Sequence, residues 1–362
     1  MKIGIIGLPN AGKSTIFNAL SEAGAEVKKH PFTTIEPNVG MVPVPDPRLN
    51  RLAEIFSPER LIPATIKFVD IAGLVEGASR GEGMGNQFLA AIRETDALVQ
   101  TVRCFADDTV AHVMGEADAV QDIETVRTEL LLADLETVER RLEKLERGRS
   151  ADPRAGEEER ELLETLRDRL GAGIDCREDS LVEKLGELSP DLGLFTLKPA
   201  IYLANTGEEN SATEQAILAA LREKARGDGV DLIEIPGLLE AEVAGLEAAD
   251  REAFREELGL KRSGLERLVF AAKKALGLVT FFTKEGVEVR AWMIPAGTPA
   301  RTAAGAIHSD MEEGFIRAEV AAFEVLDRAG SLAEVKQQGE LRTEGRDYPV
   351  QEGDVIRFLF KL

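Results

Sequence analysis

The sequence predicts an α/β protein built around a phosphate-binding loop, with a helical insertion and a smaller mixed α+β module at the carboxyl end. Three observations predict this fold class. The apolar run from Lys2 to Ile6 leads directly into the pattern G-x-x-x-x-G-K-[ST], which Gly7 to Ser14 match. The alternation of strands and helices stops near Asp122 and resumes near Phe195, as it would around an insertion. From Gly277 onward, short β-rich segments replace the long helices.

Length and charge limit the kinds of partner that the protein can have. The chain has 362 residues, enough for two or three domains. Its 44 basic and 65 acidic residues give a net charge of −21, so any contact with RNA must be local. No apolar run approaches the ~20 residues that span a bilayer. We therefore expect a cytoplasmic monomer without a membrane contact, and we expect Cys104 and Cys176 to be packing residues.

The loop has the residue types that a nucleoside triphosphate requires. Glycines allow backbone N–H groups to close around phosphate oxygens at the start of a helix, which is predicted from Ser14 to Leu20. The side chain of Lys13 can reach the terminal phosphates, and the Ser14 hydroxyl can ligate magnesium. The strand before the loop and the helix after it are the context that this motif needs.

Two later segments can complete a magnesium site. The breakers and hydroxyls of His30 to Gly40 predict a loop, and a threonine in such a loop can ligate magnesium while the terminal phosphate is present. The segment from Thr65 to Leu74 is predicted to be a strand ending in D-x-x-G. Asp70 can then hold the magnesium, and the Gly73 amide can meet the terminal phosphate. The glycine-rich run from Val75 to Gln87 is predicted to be a flexible second switch.

The chain is predicted to be helical again from Ala90 and then to form a buried strand from Ala97 to Arg103. From Asp122 the sequence becomes charged and helical. Five apolar residues then step by 4, 3, 4 and 3 as in a coiled coil: Leu131, Leu135, Val138, Leu142 and Leu145. The apolar face of Glu159 to Leu170 supplies a partner, which predicts an antiparallel helical hairpin. The basic residues between Arg140 and Arg149 indicate either a solvated face or a nucleic-acid contact.

After the insertion, the sequence carries a candidate base-reading segment, Asn205-Thr206-Gly207-Glu208, at the end of a predicted strand. A guanine site usually reads N-K-x-D there. In this chain the lysine is missing and the acid is one methylene longer, so we predict a relaxed or reversed base preference. Further predicted elements are a helix from Thr213 to Arg226 and strands at Val230–Ile235, Val279–Thr283, Val287–Trp292 and Val355–Leu359.

Three stretches carry a family resemblance: G-L-P-N-A-G-K-S-T, H-P-F-T-T-I-E-P-N and V-D-I-A-G-L-V-E-G-A-S-R-G-E-G-M-G-N-Q-F-L. With the closing β-rich module, the chain resembles the YchF subfamily of Obg-related P-loop NTPases, the Obg-like ATPases, nearly end to end. The resemblance implies a P-loop nucleotide domain formed by residues 1–122 and 195–276. It also implies an inserted helical coiled-coil domain at 123–194 and a TGS domain, a ubiquitin-like β-grasp module, at 277–362.

The resemblance also implies residue roles. It implies that the phosphates are bound by Asn10, Ala11, Gly12, Lys13, Ser14 and Thr15. The magnesium ligands are Ser14, Thr34 and Asp70, and the catalytic groups are Lys13 and Gly73. Base binding falls to Asn205, Thr206 and Glu208, with ATP preferred over GTP.

The residue after D-x-x-G is Leu74, and a leucine cannot orient water by hydrogen bonding, so turnover should be slow. Asn10 either supports the tight turn or holds a potassium ion against the phosphates; both interpretations stay open.

The resemblance implies a slow ATP-hydrolysing switch that engages the ribosome or a ribosomal subunit, with an RNA contact through the helical or TGS domain. Two alternatives remain: a conventional GTPase of ribosome assembly, and a nucleotide-gated regulator in stress signalling for which hydrolysis hardly matters.

Overall fold

The computed structural model describes residues 1–22, 38–73, 85–105, 118–147, 153–174, 176–177, 180–189, 191–207, 211–247, 250–251 and 263–361. Packing divides the chain into two units. The first comprises Met1–Gly40 with Lys67–Arg267, and the second comprises Met41–Ile66 with Leu268–Leu362. In the described part of the chain, no helix combines the length and apolar character that crossing a bilayer requires.

The elements follow in chain order. The strands are β1 (Lys2–Ile6), β2 (Asn38–Pro43), β3 (Arg60–Ile62), β4 (Thr65–Asp70), β5 (Ala97–Arg103), β6 (Ala200–Asn205), β7 (Asp231–Ile235), β8 (Leu278–Glu285), β9 (Glu288–Pro295), β10 (Phe315–Ala322), β11 (Arg342–Glu344) and β12 (Asp354–Phe360). The helices are α1 (Lys13–Glu22), α2 (Pro47–Phe56), α3 (Gly85–Arg93), α4 (Ala119–Arg147), α5 (Pro153–Gly171), α6 (Ser180–Leu188), α7 (Ala212–Gly227), α8 (Gly237–Ala244), α9 (Gly264–Ala275), α10 (Ala300–Gly305), α11 (Ser309–Glu313), α12 (Phe323–Ala329) and α13 (Leu332–Gln337).

The sheet of the first unit has the strand order β2-β4-β1-β5-β6-β7. Strand β1 pairs in parallel with β4 and β5, and β6 pairs in parallel with β5 and β7. All seven residues of β5 are buried, which is typical of a parallel sheet covered on both faces. Because the strands are parallel, the carboxyl ends of β1, β4 and β6 lie at one edge of the sheet. That edge carries the phosphate loop, Asp70 and Asn205.

Two predicted boundaries differ from the observed elements. The predicted switch loop ends at Gln87, but α3 already begins at Gly85, five residues before the predicted helix start at Ala90. Phe88 and Ile92 lie one helical turn apart and are both buried in the core, and this packing favours the longer helix. The predicted loop up to Gly40 overlaps β2 in the same way.

The helical insertion is an antiparallel hairpin. Arg127 near the start of α4 donates to the Gly173 carbonyl oxygen, and Arg141 near its end donates to Glu159 at 2.7 Å, so the two helices run in opposite directions. The predicted seam is confirmed: each of its five residues packs in one apolar cluster with Leu163, Leu166 and Leu170. Helix α6, which was not predicted, adds Leu181 and Leu185 to that cluster.

A buried carboxylate fastens α4 to the segment that re-enters the sheet. Asp134 is fully buried, and it accepts hydrogen bonds from the Phe195 and Thr196 amides at 2.7 and 2.8 Å and from Thr196 Oγ1 at 2.6 Å. Burial raises the pKa of the Asp134 carboxyl to about 6, although these hydrogen bonds and the charge of Arg93 oppose the shift.

The second unit includes a segment, residues 41–66, that is distant in sequence from the rest of the unit. Its sheet has the order β11-β10-β12-β8-β9-β3, in which β8 and β9 form an antiparallel hairpin and β3 pairs in parallel with β9. Helix α2 buries Leu49 and Leu52 in the same cluster as Phe282 and Val289. Arg48 forms ion pairs with both Asp46 and Glu352.

The unit boundaries therefore depart from the predicted domains. Residues 41–66 were predicted in the nucleotide domain, as were residues 268–276, but both segments pack with the carboxy-terminal module. The apolar contacts of α2 and the pairing of β3 account for the first segment. The helical insertion does not separate by packing and falls within the first unit.

The Asp134 contact predicts a particular pH dependence. A folded-state pKa of about 6, above the ordinary value of 3.8, means that folding favours the protonated carboxyl. The contribution of the Asp134 carboxyl to the free energy of unfolding is then greatest below pH ~4. It falls as the pH rises through 6, and above that pH it does not change further. Asp134→Asn should therefore reduce the free energy of unfolding most near pH 4 and by less at pH 7.5, as measured by urea denaturation.

A cost that grows with pH would instead show that the site favours the ionised carboxylate. Asp96→Asn is the matched control, because Asp96 is exposed and also accepts from a backbone amide, that of Lys2. It should change the free energy of unfolding by no more than about 0.5 kcal/mol.

Candidate nucleotide-binding site

The phosphate loop joins β1 to α1 in a conformation that requires glycine at two positions. Gly7 and Gly12 have φ angles of 148° and 94°. A Cβ atom at Gly7 would lie 2.4 Å from the Thr101 carbonyl oxygen, and one at Gly12 would lie 2.1 Å from Asn205 Nδ2. Asn10 also has a positive φ, 65°, which asparagine tolerates better than most residues. The loop backbone thus approaches its neighbours too closely for larger side chains at Gly7 and Gly12.

Lys13 opens α1 and folds back over the loop. Its side chain is buried, and its Nζ donates to the Leu8 carbonyl oxygen at 2.8 Å. Burial lowers the pKa of the Lys13 ammonium to about 8, and the charge of Asp70 opposes that shift. A partly desolvated cation at the mouth of the loop is well placed to donate charge-assisted hydrogen bonds to phosphate oxygens.

Ser14 and Asp70 form a hydroxyl–carboxylate pair next to the loop. Asp70 ends β4, and its Oδ2 accepts a hydrogen bond of 2.8 Å from Ser14 Oγ. Burial raises the pKa of the Asp70 carboxyl, while the Ser14 hydrogen bond and the charge of Lys13 lower it. These are the hard oxygen ligands that Mg²⁺ prefers. Proteins usually bind Mg²⁺ through one or two carboxylates together with substrate phosphates and water, and the Ser14–Asp70 pair fits that pattern.

The D-x-x-G turn reaches the loop through its glycine. A Cβ atom at Gly73 would lie 3.1 Å from Lys13 Nζ and 3.1 Å from the Pro9 amide nitrogen. The structure therefore brings Lys13 and Ser14 at the start of α1 together with Asp70 at the end of β4 and with Gly73 in the turn that follows. Thr15 lies half-buried in the first turn of α1.

The Asn205 side chain bonds to the phosphate loop and to the start of α8, and its predicted role in base binding stays a prediction. Its side chain is 4% exposed. The Nδ2 atom donates to the Ala11 carbonyl oxygen at 3.1 Å, and Oδ1 accepts from the Gly237 amide at 3.1 Å. The amide group thus ties the phosphate loop to the first residue of α8.

The segment after Asn205 is held by contacts that the sequence motif did not indicate. The Thr206 amide donates to the Ile235 carbonyl oxygen at 2.9 Å. The Gly207 amide donates to Glu214 Oε1 at 2.8 Å, and Glu214 is buried. Sequence reasoning missed Glu214, and it missed the contact of Gly237 with Asn205. The pattern S-x-x-E at Ser211 to Glu214 is a readable helix-start signal, although it does not reveal the contact with Gly207.

Two predicted site residues, Thr34 and Glu208, lie outside the described residues, and so does Leu74, the residue that follows the D-x-x-G motif. Their roles therefore stay predictions.

The cysteines are buried and free of disulfides, as predicted. Burial, followed by the carboxylates of Glu214, Glu234 and Asp122, raises the pKa of the Cys104 thiol. A thiol kept protonated in this way is unreactive.

A parallel sheet whose first strand enters a glycine-rich loop, with a lysine and a serine opening the next helix, defines the class of P-loop NTPases. Two family models match the chain. One, described as 50S ribosome-binding GTPase, matches residues 2–138. The other, the YchF-type GTPase carboxy-terminal model described as a protein of unknown function (DUF933), matches residues 278–361.

Relatives that match the whole chain identify its family more specifically than the two family models do. The chain is 45% identical over 361 residues to the ribosome-binding ATPase YchF of Bacillus subtilis, covering 99% of each chain. It is 46% identical over 362 residues to the protein of that name from Escherichia coli O157:H7, covering 100% of this chain and 99% of the relative. The solved structure of the Schizosaccharomyces pombe YchF GTPase superposes with a TM-score of 0.86 at 32% identity, covering 99% and 97% of the two chains. The chain belongs to the YchF family of P-loop NTPases.

The Ser14–Asp70 pair predicts how magnesium dependence responds to mutation. Ser14→Ala removes one hard ligand but no apolar packing, so the fold should persist while the affinity for magnesium–nucleotide falls at least about tenfold. Titration of nucleotide binding against magnesium measures this. Ser21→Ala makes the same chemical change at the other end of α1 and should leave the titration unchanged. A Ser14→Ala protein with the wild-type magnesium dependence would contradict the assignment.

Proposed function

We propose that the protein is a cytoplasmic, monomeric, ribosome-associated switch that binds ATP in preference to GTP and hydrolyses it slowly with Mg²⁺. The observation that carries this proposal is the convergence of Lys13, Ser14, Asp70 and Gly73 on one phosphate loop. The names of the bacterial relatives, ribosome-binding ATPases, support the ligand and the partner.

In this proposal each residue has a defined task. Lys13 exchanges its bond with the Leu8 carbonyl oxygen for phosphate oxygens, and the loop amides hold the phosphates at the start of α1. Ser14 and Asp70 hold the magnesium ion, together with Thr34, and the ion would neutralise phosphate charge. The Gly73 amide meets the terminal phosphate. The Leu74 side chain cannot form a hydrogen bond with water, and in this proposal turnover is slow for that reason.

The base preference rests on the segment that follows β6. Asn205-Thr206-Gly207-Glu208 lacks the lysine and the short acid of a guanine site, which argues for a relaxed or reversed base preference, and the family resemblance favours ATP. The alternative is a GTPase, and it is favoured by the names of the matched family model and of the fission-yeast protein, both of which are called GTPases. Equilibrium binding of ATP and GTP to the purified protein separates the two. Tighter binding of GTP would replace the ATPase proposal with the GTPase one.

The RNA contact is proposed through the helical or carboxy-terminal part of the chain. Several arginines of the hairpin already have carboxylate partners: Arg140 with Glu136, Arg141 with Glu159 and Arg147 with Glu143. This pairing reduces the basic character of the hairpin and favours the solvated-face interpretation there.

The ribosome proposal predicts nucleotide-dependent co-sedimentation. Purified ribosomal subunits should carry more of the protein to the pellet with ATP than with ADP or without nucleotide, because a switch binds its partner in one nucleotide state. Lys13→Ala is the control, since it removes the phosphate-binding cation and should abolish the difference. Equal co-sedimentation under all three conditions would argue for a partner contact that is not gated by nucleotide.

Potassium is a separate proposal for Asn10. A monovalent cation held by its side chain would supply positive charge near the transferring phosphate. The positive φ of Asn10 equally suits a turn residue. If potassium acts there, replacing it with sodium at constant ionic strength should slow hydrolysis several-fold in the wild type and much less in Asn10→Ala. Equal wild-type rates in both salts would leave Asn10 a turn residue.

A further inference from the structure

We propose that Glu214 is the positioning residue of the base-binding turn: its buried carboxylate holds Gly207 in place and so sets the affinity for the purine base, but not for the phosphates. This inference rests on the proposed function, in which Asn205 to Glu208 contact the base. The proposal concerns a residue that acts through the turn and does not itself touch the nucleotide.

The first support is the contrast between two helix starts with the same sequence pattern. Ser263 to Glu266 opens α9 as a reciprocal capping box: the Glu266 amide donates to Ser263 Oγ at 3.1 Å, and Glu266 Oε2 accepts from the Ser263 amide at 3.3 Å. Ser211 to Glu214 opens α7 with the corresponding amide-to-Oγ bond of 3.2 Å. Here, however, the carboxylate accepts a shorter bond, 2.8 Å, from the amide of Gly207.

The second support is the burial of the carboxylate. Glu214 is 4% exposed, and a glutamate is rarely buried unless its charge has a specific partner. A capping carboxylate needs no such burial, since Glu266, which accepts from the Ser263 amide in its own capping box, is only half-buried. The cost of desolvating Glu214 is therefore offset by a bond to the turn rather than by capping alone.

The third support is the close packing of the turn itself. A Cβ atom at Gly207 would lie 3.1 Å from Phe105 Cβ and 3.5 Å from Glu214 Oε2. A side chain at Gly207 would therefore meet both Phe105 and the Glu214 carboxylate. Two successive backbone amides are therefore held, that of Thr206 by Ile235 and that of Gly207 by Glu214, immediately before the predicted base-reading acid Glu208.

Two different side chains therefore support the two parts of the site, the phosphate loop and the base-binding turn. The Asn205 side chain holds the phosphate loop, whereas the Glu214 side chain holds the turn that follows. Removing the Glu214 carboxylate should free the turn without moving Lys13 or Ser14. A ligand that has phosphates but no base should not detect the change.

The test compares ATP with inorganic tripolyphosphate, both with magnesium, by isothermal titration calorimetry. Glu214→Ala should weaken ATP binding about tenfold, the usual effect of losing a hydrogen bond to a charged group, and should leave tripolyphosphate binding within about twofold. The Michaelis constant for ATP should rise while kcat stays near the wild-type value. Glu214→Gln keeps an acceptor for the Gly207 amide and should restore most of the ATP affinity.

Glu266→Ala is the matched control, because it breaks a capping box of the same pattern and should change neither affinity. Gly207→Ala is an independent variant that crowds Phe105, and it should reproduce the selective loss of ATP affinity. An equal loss of ATP and tripolyphosphate binding in Glu214→Ala, unchanged ATP binding, or a Gln variant as weak as Ala would each overturn the proposal. A wild-type protein that binds tripolyphosphate but no purine nucleotide would instead refute the proposed function.

Discussion

The side-chain amide of Asn205 is the contact on which the geometry of the nucleotide site depends. It is buried at the carboxyl end of β6, where it bonds to Ala11 in the phosphate loop and to Gly237 at the start of α8. Its position also explains two glycines. A Cβ atom would lie 2.1 Å from Asn205 Nδ2 at Gly12 and 2.5 Å from Oδ1 at Gly237, so both positions must stay without side chains.

The parallel sheet makes this contact possible. Strands β1, β4 and β6 end at one edge, so a loop, a carboxylate and an amide that are far apart in the chain meet there. Ser14 then pairs with Asp70 across 56 sequence positions, and Asn205 pairs with Ala11 across 194. The fold thus supplies the proximity, and the local sequences supply the chemistry.

Much of the phosphate and magnesium site could be predicted from the sequence, because its spacing is local. The segment Gly7 to Ser14 and the D-x-x-G segment at Asp70 each carry a backbone requirement within a few residues. The hairpin seam was predictable for the same reason, since a heptad-like period is local. The Asn205 bridge was not, because the residue type suggests base recognition and its partners are set by tertiary structure.

The placement of residues 41–66 was also beyond sequence reasoning. The start of α2 is readable, since Asp46 caps a helix whose first residue is Pro47. Strand β3, however, has three residues, too few to show a period, and its partner β9 lies more than 220 positions along the chain. Residues 41–66, which complete the second unit, lie in the chain between the predicted threonine loop and Asp70. The chain therefore runs from this segment to a predicted magnesium ligand in both directions, to Thr34 on one side and to Asp70 on the other.

If the Asn205 side chain supports the phosphate loop, as its bond to Ala11 indicates, an Asn205→Ala protein should lose affinity for magnesium tripolyphosphate. The substitution leaves Ala11 and Gly237 without their bonds, each at a cost of about 1–3 kcal/mol, so binding of this base-free ligand should weaken at least about tenfold. Thr206→Ala is the control, because its backbone bond to Ile235 survives the change. Wild-type affinity for tripolyphosphate in Asn205→Ala, with ATP binding alone reduced, would contradict the claim and make Asn205 a base-reading residue.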